Sequence, residues 1–260
     1  MKLSYNKISI KLLYIIVIIS GAIISCELNN KKEHFGGIFL NMPPDGIINC
    51  APWPGNIADL SKDQIEQTIE AYINSYANTN VKAILFNVNY QRVCYDSKVW
   101  DTYWDVPNPD SISGWQAAFW QLNKKGVDVF DLAIQDCREK QIAPWLSFRM
   151  NDHHYFNEPG KVNTFLLGNE EFRPKSFFNY DKPEIRNHFL DLINESLDRY
   201  DVDGIELDLL RTPGHYGSVE AMNIFMNDLR ILVDQKETEK KHDIKIAVRV
   251  PSLPEDAIKW

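Results

Sequence analysis

The stretch Tyr200-Asp201-Val202-Asp203-Gly204-Ile205-Glu206-Leu207-Asp208-Leu209-Leu210-Arg211 carries the signal that decides the fold. Its centre reads as a short buried strand, predicted over Val202 to Leu210. Successive side chains of a strand point to opposite faces, so Ile205, Leu207 and Leu209 share one face and Glu206 and Asp208 the other. Two carboxylates on one face of a buried strand are costly without partners or a task. The pair therefore marks a candidate site.

The segments on either side alternate between strand and helix patterns. Strands are predicted over Phe35 to Asn41, Val81 to Asn89, Ile142 to Met150 and Ile244 to Val250. Helices are predicted over Leu60 to Tyr76 with Ser61 as N-cap, and over Asp128 to Gln141 capped by Asp128. Two more follow, Pro183 to Tyr200, with proline in its first turn, and Val219 to Gln235. Strict β-α alternation implies a parallel sheet, which fits a doubly wound fold or a (β/α)8 barrel. The barrel is favoured. No glycine-rich phosphate loop follows the first strand, and polar residues gather after many strands rather than at one crevice. The α/β fold predicted is thus a TIM-type (β/α)8 barrel over residues 35–260. Only five strands are found, so it reads as truncated after about five β/α units.

The same parity applied to every strand assembles a mouth. Asn41 on the first strand, Asn87 and Asn89 on the second, and Ser147, Arg149 and Asn151 on the third share the face of Glu206, Asp208 and, on the fifth, Arg249. The opposite faces are apolar and suit outer helices. Active sites of this architecture lie at the C-terminal ends of the strands. Asp208 is the first choice for a nucleophile or base, kept ionised by a cation such as Arg211 or Arg149. Glu206 is a candidate acid, or a structural partner of Arg149 or Arg249. Asp152, His153 and His154 follow the third strand, where Asp152 or a histidine could move protons and the histidines could bind sugar hydroxyls. Glu255 is a further carboxylate after the last strand. In the aromatic-rich loop after the second strand, Trp100 and Trp104 are expected to form a sugar-stacking wall, with Trp115 and Trp120 in a minor core. No CxxC or Cys/His ligand spacing and no cofactor motif is present; Asp152, His153 and His154 are metal-ligand types, but adjacent histidines on a strand rarely bind one ion together, so no metal is expected.

Residues 1–25 have lysines at 2, 7 and 11 followed by an apolar run, the pattern of an export signal. Ile23-Ile24-Ser25-Cys26 resembles a bacterial lipobox, which implies lipidation of Cys26, a tether over residues 26–34 and attachment to a bacterial membrane, facing the periplasm or the cell surface. The whole chain has a net charge of −8, and loss of the signal removes three lysines and no acid. Such acidity argues against nucleic acid as a partner and suits a neutral carbohydrate. Cys50 and Cys94 could pair in an exported protein, and Cys137 reads as a core residue.

Asp128-Val129-Phe130-Asp131-Leu132-Ala133-Ile134, continued by Gln141-Ile142-Ala143-Pro144-Trp145-Leu146, resembles the helix-to-strand passage of glycosyl-hydrolase-like (β/α)8 proteins distantly akin to family-ten and α-amylase-type glycosidases. Asp181-Lys182-Pro183-Glu184-Ile185-Arg186, running through to Asp203-Gly204-Ile205, resembles their next helix and strand. The resemblance implies glycosidic bond hydrolysis, with Asp208 matching the apolar-Asp step that follows Asp-Gly-Ile. The same surface could instead bind glycan without cleaving it, or belong to an inactive barrel fragment.

Overall fold

A computed structural model describes residues 36–174, 178–210 and 217–252. Cys26, Arg211 and Glu255 lie outside these residues. One compact unit starts at Gly37. Its strands are β1 (Ile38–Met42), β2 (Val81–Asn87), β3 (Ala143–Arg149), β4 (Gly204–Asp208) and β5 (Lys245–Arg249). They form one parallel sheet in the order β1-β2-β3-β4-β5. The helices are α1 (Gly46–Cys50), α2 (Lys62–Asn74), α3 (Trp115–Lys124), α4 (Val129–Glu139), α5 (Pro183–Arg199) and α6 (Val219–Lys240). Among the described residues no helix is long and apolar enough to cross a membrane.

Local signals account for the helices. Ser61 and Gln64 close a reciprocal capping box on α2, with bonds of 3.2 and 2.9 Å. The Asp128 carboxylate accepts from the amides of Phe130 and Asp131 and so starts α4. Helix α6 runs five residues beyond the Gln235 expected from periodicity, to Lys240. Helix α3 was not anticipated, because its aromatic residues sit in a stretch that reads as a loop.

The outward faces of the central strands are apolar. Ile84, Phe86, Leu146, Phe148, Ile205 and Leu207 are each fully buried in the main core with the helices. Burial of such side chains contributes about 1.5–3 kcal/mol each. The other face is divided along the strands. Its lower part is a small apolar layer of Ala83, Leu85 and Trp145 with Ala143 and Ala247 at its margin. The Trp145 indole lies against β4 at Gly204, where an added Cβ would stand 2.7 Å from the ring. Glycine is therefore required there for the close approach. The upper part of the face is polar.

One hydrogen bond fixes the curvature of the sheet. Asn41 Nδ2 on β1 donates to Glu206 Oε2 on β4 at 3.1 Å. In a flat sheet these strands would be three spacings, about 14 Å, apart, beyond what the two side chains can bridge. The sheet must curl with its polar face concave. Sequential strand order without a reversal and a concave inner face are barrel features, whereas a doubly wound sheet reverses its order at a switch point. The fold is α/β, a five-stranded section of a (β/α) barrel.

Candidate active site

The strand register sets the rows of the mouth. Ser147, Glu206 and Ala247 lie side by side on β3, β4 and β5, and one pleat above them lie Arg149, Asp208 and Arg249. Glu206 is 6% exposed and Asp208 1%. Arg249 holds both. Its Nε donates to Glu206 Oε1 at 3.0 Å, Nη2 to Glu206 Oε2 at 2.9 Å, and Nη1 to Asp208 Oδ2 at 3.2 Å. Glu206 Oε2 also accepts from Ser147 Oγ at 2.7 Å and from Asn41. Asp208 Oδ1 accepts from the amide of Leu210 at 3.2 Å. Several charge-assisted bonds compensate the desolvation of the two carboxylates.

The expected cation for Asp208 was Arg149 or Arg211. Arg211 lies outside the described residues, and Arg149, although beside Asp208 in register, turns toward β2 and the loop after β3. Its Nε donates to Asn87 Oδ1 at 3.0 Å and its Nη1 to Asp152 Oδ2 at 3.0 Å. Its guanidinium lies 3.9 Å from the centroid of the Tyr90 ring. A cation over an aromatic face and next to a carboxylate is doubly stabilised, which explains the choice of direction.

Asp152 is the centre of a second cluster. Its side chain is 0% exposed. Besides Arg149 it receives the amide of His154 at 2.8 Å and contacts the ring Nδ1 of His154 at 3.0 and 2.9 Å through its two oxygens. Burial would raise the Asp152 carboxyl, but the bonds from His154 with the charges of His154 and Arg149 outweigh it and hold the group below the usual carboxylate range. Asp152 is thus held as an anion and is not suited to be the proton donor anticipated for it. The His154 side chain is 44% exposed and its ring meets the edge of Tyr90 at 5.0 Å.

Other predicted sugar contacts are engaged within the protein, two with backbone groups and one with side chains. Asn89 accepts from the amide of Arg149 and donates to the carbonyls of Tyr90 and Arg149. Asn151 Oδ1 accepts from the amide of Phe178 at 3.0 Å. Asn87 bridges Arg149 and Asn41. All three are buried. His153 is half-buried beside them.

Trp100 and Trp104 correct the expected stacking wall, since they are 5% and 7% exposed. The Trp100 indole donates to the carbonyl of His188 and stacks on the His188 ring at 4.2 Å. Burial lowers His188 to about 4, so that imidazole is a neutral core group. Trp104 stacks on the half-buried Trp120. Large aromatics serve cores as readily as sugar faces, and here the long loop needed its own core. Cys50 and Cys94 are both free, one exposed and one buried, so the expected pair is not formed.

Sequence reasoning passed over Asp45, whose Oδ1 accepts from Tyr90 Oη at 2.8 Å. It sits in Pro43-Pro44-Asp45-Gly46, which reads as a turn. Gln91 was also missed, although its side-chain amide bonds to the carbonyl of Asp152. A cleft of about 430 Å³ lined by Tyr95, Trp104, Asp128 and Arg199 shares no residue with either cluster.

No protein-family model matches the chain, and no curated protein matches its sequence. Among solved structures it is similar to a fucosyltransferase mutant of α-L-fucosidase AlfC, at 11% identity and a TM-score of 0.42, over 82% of this chain and 67% of that one. It is similar to α-L-fucosidase isoenzyme 1 from Paenibacillus thiaminolyticus at 14% identity and a TM-score of 0.40, over 75% and 45%. The galactosidase domain of α-galactosidase-sucrose kinase AgaSK is similar at 12% identity and a TM-score of 0.37, over 85% and 28%. The chain therefore spans less than half the length of the last two.

Proposed function

We propose that the domain is a carbohydrate-active protein that hydrolyses glycosidic bonds, with Asp208 as the carboxylate that attacks the anomeric carbon. The observation that supports this most is the pairing of Asp208 with Arg249 at the C-terminal end of β4. The guanidinium holds the carboxylate in place, and the concave end of a parallel sheet is where such a group can meet a substrate. The reading rests on this site and not on the fold, which hosts many chemistries.

The test is turnover of a panel of 2,4-dinitrophenyl glycosides, covering several pyranosides in both anomeric forms. Asp208→Asn should lower kcat/KM on the glycone accepted by at least about 1,000-fold. Unchanged turnover would remove Asp208 from the chemistry. A second reading, glycan binding without hydrolysis, draws on the burial of Glu206 and Asp208 and on the number of donors they already satisfy. Glycan retention with no turnover, unaffected by Asp208→Asn, would select it.

We further place this domain on a bacterial membrane through a lipid on Cys26, on the strength of the signal-like segment and the Ile23-Ile24-Ser25-Cys26 motif. Cells given labelled palmitate should incorporate it into the full chain and lose that label in Cys26→Ser. Equal labelling of both would reject the anchor.

A further inference from the structure

We infer that His154 is the proton-transferring group of this site, positioned by Asp152. The inference deepens the hydrolase reading and rests on it. A glycosidase needs, besides the attacking carboxylate, a group that protonates the leaving oxygen and later takes a proton from water.

The carboxylates at the mouth are poorly placed for that second task. Both oxygens of Glu206 are taken by Arg249, and one of them also by Ser147 and Asn41. Asp152 is enclosed by Arg149 and His154. His154 joins a locked end to an open one. Its Nδ1 lies on the buried Asp152 carboxylate, and its side chain is 44% exposed. The backbone amide of His154 binds the same carboxylate, which fixes the loop and the ring together. Tyr90 packs against the ring and is itself held by Asp45. The charged groups around the imidazole are thus Asp152, with Arg149 and Arg173 behind it, Asp45 behind Tyr90, and Lys161 over the neighbouring Tyr155 ring.

An acceptor at Nδ1 sets the tautomer. The Nδ1 proton points to Asp152, so Nε2 carries a lone pair in the neutral ring and a proton in the cation. In the first half of the reaction, Asp208 forms a bond to C1 as the C1–O bond breaks. The bonding pair goes to the leaving oxygen, which receives the proton from Nε2. In the second half, neutral Nε2 takes a proton from water while the water oxygen displaces Asp208 from C1. The imidazolium is restored, and Asp152 keeps the ring oriented without changing its own protonation.

The experiment compares leaving groups on the glycone that the dinitrophenyl panel identifies. His154→Gln should reduce kcat/KM on the phenyl glycoside, which needs a proton, by about 100-fold or more. It should change turnover of the dinitrophenyl glycoside, whose leaving group needs none, by less than about five-fold in the glycosylation step, since only the proton transfer is removed. Equal losses on both substrates, or no loss on either, would overturn the assignment while leaving the Asp208 reading intact. Absence of turnover of every dinitrophenyl glycoside by the wild-type protein would sink the hydrolase reading and this inference with it. Because the His154 side chain is partly exposed, its substitution should leave the fold intact, and an unchanged melting curve verifies that.

Discussion

Arg149 and Arg249 occupy equivalent rows on the two strands that flank β4, yet they organise different surroundings. The Arg149 side chain is 1% exposed and points to Asn87, Asp152 and the face of Tyr90. The Arg249 side chain, on the last described strand, is 27% exposed and spans Glu206 and Asp208. One arginine completes a buried cluster that leaves a histidine at the rim. The other neutralises two carboxylates from the side. The contrast shows that register places a charged residue beside a neighbour but that packing decides which neighbour it serves.

The largest effect expected from this contrast is on stability. Arg149→Met should cost about 3–5 kcal/mol, because Asp152 would be left as a buried charge without its guanidinium. Arg249→Met should cost less, about 1–2 kcal/mol, since Glu206 keeps Ser147 and Asn41 and Asp208 keeps the amide of Leu210. Urea denaturation of the two variants measures the difference, and equal losses would erase the distinction between the clusters.

A smaller, pH-dependent effect isolates Asp152. Its carboxyl is held below the ordinary range in the folded chain, so the unfolded chain binds the proton first as pH falls. The stabilisation is complete above the unfolded value of about 3.9 and is lost as pH drops through the lower folded value. Wild-type protein should therefore lose stability on acidification below about pH 4 more steeply than Asp152→Asn, whose residue 152 cannot titrate. Parallel acid-denaturation curves would show that the Asp152 cluster contributes nothing to the slope.

Much of this arrangement was legible in the chain. Parity alone put Asn41, Asn87, Ser147, Arg149, Glu206, Asp208 and Arg249 on one face, and the bonds among them confirm it. Strand alternation is local and has a period of two, so a register read in one strand transfers to the next. Side-chain direction did not transfer. Arg149 followed Tyr90 and Asp152 rather than Asp208, and Asn89 and Asn151 turned to backbone groups near the strand ends. Trp100 and Trp104 were misplaced because an aromatic side chain has the same sequence signature in a core and on a sugar platform.

The alternation of strands and helices, the polar and apolar faces, and the caps of α2 and α4 follow from residues a few positions apart and so are written in the chain. The curl of the sheet, the sharing of Glu206 and Asp208 by Arg249, and the locking of His154 by Asp152 arise only on assembly. The curl brings Asn41 to Glu206, 165 positions away, and with it the strand ends that carry the two clusters. His154 and Asp152 are near neighbours in sequence, but the burial that fixes their contact comes from Arg149 and the packed strands beneath. Desolvation and partner geometry are properties of the assembled mouth, and no local pattern encodes them.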